Sequence, residues 1–141
     1  MYFRGYYGFL SNFVYAPTLY EGILFPTAEH AFQAAKTKNK EVRLLLLSMT
    51  AKEVKKYGRE LELRPDWDEV KLKVMYDVVF DKFDRNVELR KKLLDTDDLV
   101  LVEDNYWKDT YWGVYKGKGE NHLGIILMQV RDKMREMYPE T

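Results

Sequence analysis

The chain has 141 residues, 46% of them hydrophobic, a length suited to one domain with its own core. It has no cysteine, which removes disulfides, thiolate metal sites and thiol nucleophiles. Its 23 basic side chains balance 23 acidic ones, which argues against a globally basic nucleic-acid binder.

Residues 1–35 carry only Arg4, Glu21 and Glu29 as formal charges, and Gly5, Gly8, Pro17, Gly22 and Pro26 interrupt them too often for a helix. Eight of the chain's aromatic residues also fall within residues 2–20. This opening reads as irregular or β-like, part of the core or of a pocket wall. It holds a short hairpin in which Tyr20 and Ile23-Leu24-Phe25 flank Glu21-Gly22. Thr27 is the predicted N-cap of a helix over 28–36. A basic helix follows over 41–47, and Thr50-Ala51-Lys52-Glu53 has the capping-box pattern of a third helix that Gly58 ends. Asp66-Trp67-Asp68-Glu69 repeats that signature, and Val70, Val74, Val78 and Phe83 carry a helical period to about Phe83. Asn86 opens a short helix with Leu89, Leu93 and Leu94, and residues 99–102 are a β-type apolar run suited to one buried strand. Residues 105–119 form a loop rich in Tyr, Trp and Gly. Asn121 is the predicted cap of a last helix, striped by Leu123, Ile126 or Leu127, Val130, Met134 and Met137, which Pro139 ends. The expected fold class is α+β: a single compact, mostly helical domain over 1–141 with a few short strands.

No basic stretch followed by an apolar run opens the chain, so a secretory signal is not expected. The longest strongly apolar run, 44–47, is far short of the roughly 20 residues that cross a bilayer. The expectation is a soluble cytoplasmic protein with no membrane partner. With two histidines and no cysteine, no metal site and no cofactor are expected.

Three constellations suit chemistry. On the helix after Pro26, Glu29, Gln33 and Lys36 recur at i, i+4 and i+7, so a carboxylate, an amide and an amine share one face. The plain alternative is an exposed polar face, with His30 a structural histidine. Arg59 and Arg64 precede the helix opened by Asp66, a natural anion site, and Trp67 offers a plane for stacking. The alternative there is Trp67 as a core anchor with Arg64 paired to Asp66 or Asp68. Asp109, in an aromatic surround with Trp112, leads into a loop with Lys116, Lys118 and Gly119 before Asn121, whose backbone amides suit a phosphate. Desolvation there would raise the carboxyl's pKa for acid–base work; the alternative is a loop acid bonded to its own turn.

These segments resemble a known family. Phe9-Leu10-Ser11-Asn12-Phe13, the run Pro26-Thr27-Ala28-Glu29-His30-Ala31-Phe32-Gln33-Ala34-Ala35-Lys36, and Arg64-Pro65-Asp66-Trp67-Asp68 are similar to motifs of the NADAR (YbiA-like) N-glycosidases. Trp112-Gly113 and Gly119-Glu120-Asn121-His122-Leu123-Gly124 continue the match, which is ordered over most of the chain. The resemblance implies hydrolysis of an N-glycosidic bond between a (phospho)ribose or ADP-ribose and a nitrogen base or amine. Two substrate classes are associated with it: phosphoribosylamine intermediates of riboflavin synthesis, and ADP-ribose on guanine, including ADP-ribosylated nucleic acid. It implies Glu29 and Asp109 as the acids and Trp67 as the aromatic residue of the site. Lys36 is added as a catalytic candidate, with Arg64, Asn12, Gln33, Arg59, Trp112, Gly119 and Asn121 as further substrate-binding candidates. A non-catalytic ADP-ribose or nucleotide-binding module is the alternative function.

Overall fold

The turn at Glu21-Gly22 is built as its residues suggest: both have positive φ, 43° and 86°, the geometry that suits a two-residue hairpin loop. It joins β1 (Thr18–Tyr20) to β2 (Ile23–Phe25), antiparallel with Tyr20 opposite Ile23. The structure, a computed structural model, describes residues 1–139. It divides into two compact units, Asn12–Arg85 and Met1–Ser11 with the chain from Asn86 onward.

In the unit Asn12–Arg85, α1 (Ala28–Ala35) is buried along its whole length. Ala28, Ala31, Ala34 and Ala35 have no exposed surface, so their small side chains let neighbouring elements approach from every side. The Thr27 hydroxyl accepts the His30 N–H at 3.1 Å and so caps the helix. α2 (Lys40–Leu45) is capped by Asn39 and continues into a 3₁₀ turn, Leu46–Ser48. α3 (Ala51–Gly58) opens with the predicted capping box: Thr50 Oγ1 accepts from Glu53 N, and Glu53 Oε1 accepts from Thr50 N. α4 (Trp67–Arg85) runs two residues past the predicted end. β1, α3 and α4 all pack on α1, which is therefore the axis of this unit.

The second capping box does not form. The Asp66 carboxylate turns instead to the Arg64 guanidinium, at 2.6 and 3.0 Å, and only its backbone carbonyl serves the helix start. A charge-assisted, two-point bond outcompetes a single N–H.

The other unit begins with a 3₁₀ helix, Gly5–Leu10, where the sequence reads as irregular or β-like. It continues with α5 (Val87–Leu94), β3 (Asp104–Asn105), β4 (Val114–Tyr115) and α6 (His122–Met137). The strand expected over 99–102 is absent. Leu101 is fully buried while Val100 is exposed, and the carbonyls of Leu99 and Leu101 are taken by Arg131 Nη1 (2.8 Å) and Asn121 Nδ2 (3.0 Å). Side chains thus satisfy the extended backbone that a neighbouring strand would otherwise pair. The sheet forms just beyond, where β3, at the edge of the predicted loop, and β4, inside it, run parallel.

Asn121 stands at the N-cap position of α6, as its place in the sequence suggests, and its carbonyl accepts from Ile125 N at 3.0 Å, but its side chain does not cap the helix. The residue sits in the left-handed region at φ 54°; its Oδ1 accepts from Glu103 N at 2.9 Å while Nδ2 reaches Leu101. Its amide ties the 101–103 segment to the start of α6.

Candidate active site

Helical spacing brings Glu29, Gln33 and Lys36 together as predicted, but the face they share is interior. Glu29 is 7% and Gln33 4% exposed. Gln33 Nε2 donates to Glu29 Oε2 at 2.6 Å, and the Glu29 N–H donates to the Asn12 carbonyl at 3.0 Å. Asn12 is itself buried; its Nδ2 points at the Met75 sulfur at 3.4 Å, and its Oδ1 has no hydrogen-bond partner. A buried acceptor without a donor is expensive unless something arrives to fill it.

Lys36 follows α1, half-buried, with Nζ 5.8 Å from the Phe32 ring centroid. Burial pushes its ammonium below the usual lysine value; the Glu29 carboxylate opposes that shift and the Arg59 charge, on exposed backbone after α3, reinforces it. The Lys36 carbonyl accepts from Arg64 N at 2.8 Å, which fixes the 64–67 turn beside the end of α1. Arg64 is held by Asp66, and its charge reaches the Tyr20 hydroxyl. Tyr20 is raised above the usual tyrosine value by burial and by Glu21, against the pull of Arg43 and Arg64. The Trp67 indole is 6% exposed with its ring centroid 5.2 Å from that of Phe32, so it serves as a wall and core anchor more than as an open stacking plane.

His30 is structural. Thr27 Oγ1 lies 2.7 Å from Nδ1 and the Met49 carbonyl 2.7 Å from Nε2, so both ring nitrogens are used. Burial lowers its pKa, with the Met49 hydrogen bond opposing.

Asp109, Trp112, Gly119 and Asn121 belong to the other unit. Asp109 bonds its own turn: one carboxylate oxygen accepts from Tyr111 N (3.0 Å) and Trp112 N (2.9 Å). The buried Asn105 side chain clamps the same loop, accepting from Asp109 N at 3.0 Å and donating to Asp109 O at 2.8 Å. Trp112 stands edge-on to Tyr111, and Tyr111 lies 4.5 Å from the His122 ring. Gly119 has φ 151°, and a Cβ there would run into the Gly113 carbonyl and lie 3.0 Å from Val114 Cα, so no side chain fits. Both ends of the Asn121 amide are occupied by backbone, which assigns that residue to the scaffold.

Sequence reasoning missed Tyr20, Arg43 and Asn105. Arg43 is 7% exposed, donates to the Ala34 and Thr37 carbonyls at the end of α1, and lies over the Tyr20 ring. Its place in a run of basic residues hid it. Asn105 had a signal, since an Asn entering a Gly-rich loop commonly bonds the backbone around it. Among the described residues no group of three or more His, Asp and Glu side chains is placed to hold a metal ion, and no helix is long and apolar enough to cross a membrane.

The sequence profile of the NADAR domain matches residues 2–135, across both units. The chain belongs to the NADAR family. Its similarity to other members extends over most of its length. It is 38% identical over 133 residues to the Escherichia coli (strain K12) N-glycosidase YbiA, covering 91% of this chain and 82% of that protein. It is 36% identical over 138 residues to an N-glycosidase of Nostoc punctiforme, covering 93% and 88%. A riboflavin biosynthesis protein of Vibrio vulnificus is 37% identical over 139 residues, which are 94% of this chain and 37% of that longer protein. The solution structure of Escherichia coli YbiA superposes with a TM-score of 0.86 at 34% identity, covering all of this chain and 88% of that one. The mostly helical fold with short strands is thus the fold of this NADAR member.

Proposed function

We propose that this chain is an N-glycosidase that hydrolyses the C1–N bond of a phosphorylated ribosylamine, with Glu29 as the reacting carboxylate. The observation that carries the reading is the buried Glu29–Gln33 pair beside the unfilled Asn12 Oδ1 and the half-buried Lys36. In this reaction the C1–N electron pair leaves with nitrogen, which takes up a proton, and water adds its oxygen to C1 and gives up a proton. The sugar passes through an oxocarbenium-like state that needs a negative charge close by. Glu29, with one oxygen tied to Gln33, either faces that cation or accepts the proton of the attacking water. Its low exposure keeps the carboxylate–cation attraction from being screened by solvent. Asn12 Oδ1 accepts a sugar hydroxyl. Lys36 and Arg64, with Arg59 at the rim, hold the phosphate, and Trp67 lines the wall. In the other unit Asp109 stays a candidate acid, with Trp112 and the Gly119 loop as candidate substrate contacts.

A ribosylamine 5-phosphate is favoured as substrate because the Vibrio vulnificus relative is a riboflavin biosynthesis protein. ADP-ribosylated guanine is the second class, and a binding module for ADP-ribose or a related nucleotide is the alternative from outside enzymology. One experiment separates the three. The purified chain is offered the riboflavin-pathway phosphoribosylamines and ADP-ribosylated guanine DNA, with products read by mass spectrometry. Ribose 5-phosphate release supports the proposal. ADP-ribose release moves the substrate to the second class, and binding of ADP-ribose with no turnover of either substrate overturns the enzymatic reading.

A further inference from the structure

Gly58 is the last residue of α3, and its φ is not positive, so the backbone does not require a glycine there. Alanine would suit a helix better. What excludes it is a side chain: a Cβ at Gly58 would lie 2.6 Å from Gln33 Cδ and closer still to Gln33 Oε1. Gln33 is 4% exposed, so its amide has little room to retreat. Its Nε2 is committed to Glu29, and its Oε1 is buried with no hydrogen-bond partner, lying over Gly58 where a second bond would otherwise be expected. The amide orientation follows from chemistry, because only the NH₂ end can donate to a carboxylate.

We infer that Gly58 is a positioning residue for the reaction: its bare Cα is the seat that holds the Gln33 amide against Glu29 and so fixes the carboxylate. The inference rests on the proposed role of Glu29. Lys36, just past the end of α1, supplies a charge whose field reaches Glu29, and Arg59, just past Gly58, acts in turn on Lys36. An alanine methyl meets the far end of a flexible side chain and no backbone, so α3 survives and Gln33 is what moves. Moving Gln33 breaks the 2.6 Å bond and removes that hold on the Glu29 carboxylate. Small errors in a reacting group's position are costly to turnover.

The test is a double-mutant cycle in the full chain, with Gly58→Ala, Gln33→Ala and their combination, read as ribose 5-phosphate release from a phosphoribosylamine. The pH titration of the Gln33 side-chain amide is followed alongside by ¹H–¹⁵N NMR. Gly58→Ala alone is expected to keep the wild-type helical circular dichroism and to lower the thermal midpoint no more than Gln33→Ala does, while kcat falls about tenfold or more. In the Gln33→Ala background it should change kcat by less than about twofold, because its effect passes through the missing amide. The Gln33 amide signals should follow the Glu29 carboxylate in the wild type and lose that dependence in Gly58→Ala. An equal loss from Gly58→Ala in both backgrounds, or an unchanged amide titration, overturns the inference while leaving the role of Glu29 intact. Full turnover by Glu29→Gln overturns the functional reading and the catalytic part of the inference with it, whereas the NMR arm still reports whether Gly58 seats the amide.

Discussion

Lys82 is 1% exposed on the buried side of α4, with Nζ 4.9 Å from the Phe83 ring centroid. Burial lowers its pKa to about 7. In the unfolded chain the same amine titrates near 10.5, so between these values the unfolded state holds a proton that the native state does not. Stability therefore rises with pH through this window. The lysine's contribution is most unfavourable below its folded pKa and is recovered as pH approaches the unfolded one. Integrated over that difference, its contribution improves by about 2 kcal/mol between pH 7 and pH 9. Lys82→Met removes the titration and keeps the unbranched shape. The assay is urea unfolding of both proteins at pH 7, 8 and 9, read as the difference between wild type and variant, which cancels every other titrating group. The variant's relative stability should be greatest at pH 7 and shrink by about 2 kcal/mol by pH 9. Any contacts of the ammonium that methionine forfeits shift the whole difference without changing its slope. A difference independent of pH would refute the reasoning, since it would mean that Lys82 keeps its proton in the native state.

Two other outcomes follow from the same geometry. Asn121→Ala deprives the Glu103 N–H and the Leu101 carbonyl of their partners and puts a β-carbon residue without local hydrogen bonds at φ 54°, so chemical unfolding should show a loss of about 2–3 kcal/mol. Lys36 loses its proton at lower pH than an ordinary lysine, so an ammonium that grips phosphate gives turnover an alkaline limb starting early, and Lys36→Arg should move that limb up while keeping activity. If Lys36 instead attacks a ring-opened sugar as a free amine, Lys36→Arg is inactive and borohydride during turnover links sugar to Lys36.

The parts of the fold set by local chemistry were legible in the chain. The Glu21-Gly22 hairpin, the Thr27 cap and the Thr50–Glu53 capping box each depend on residues within four positions of one another, and each is present. Residues 99–102 were misread, and the side-chain partners of Asn121 were not foreseen, because those partners are distant in sequence. Periodicity cannot show that Arg131 and Asn121 will take the carbonyls a strand would have paired. Asp66 has the composition of a cap, yet Arg64 two residues earlier offers a stronger bond. Within the site, the i, i+4, i+7 spacing predicted the shared face of Glu29, Gln33 and Lys36. That this face is interior depends on α3 and α4 packing around an alanine-rich helix, which no window of sequence contains. Lys82 was readable in retrospect: it stands four residues after Val78, on the buried stripe.

The aromatic residues, 15% of the chain, divide in the same way. Phe9 and Trp67 are buried and Phe32 packs on Trp67, but Tyr6, Tyr15 and Tyr106 stay largely exposed. Aromatic content alone therefore does not mark out a pocket.

The most direct test of C1–N hydrolysis by Glu29 is the steady-state release of ribose 5-phosphate from a phosphoribosylamine by wild type and Glu29→Gln, with folding checked by circular dichroism. Glutamine preserves the side-chain shape and its contact with Gln33 but removes the charge and the base. A fall in kcat on the order of 10²-fold or more with little change in KM is the predicted result. Glu29→Gln turning over at the wild-type rate would contradict it.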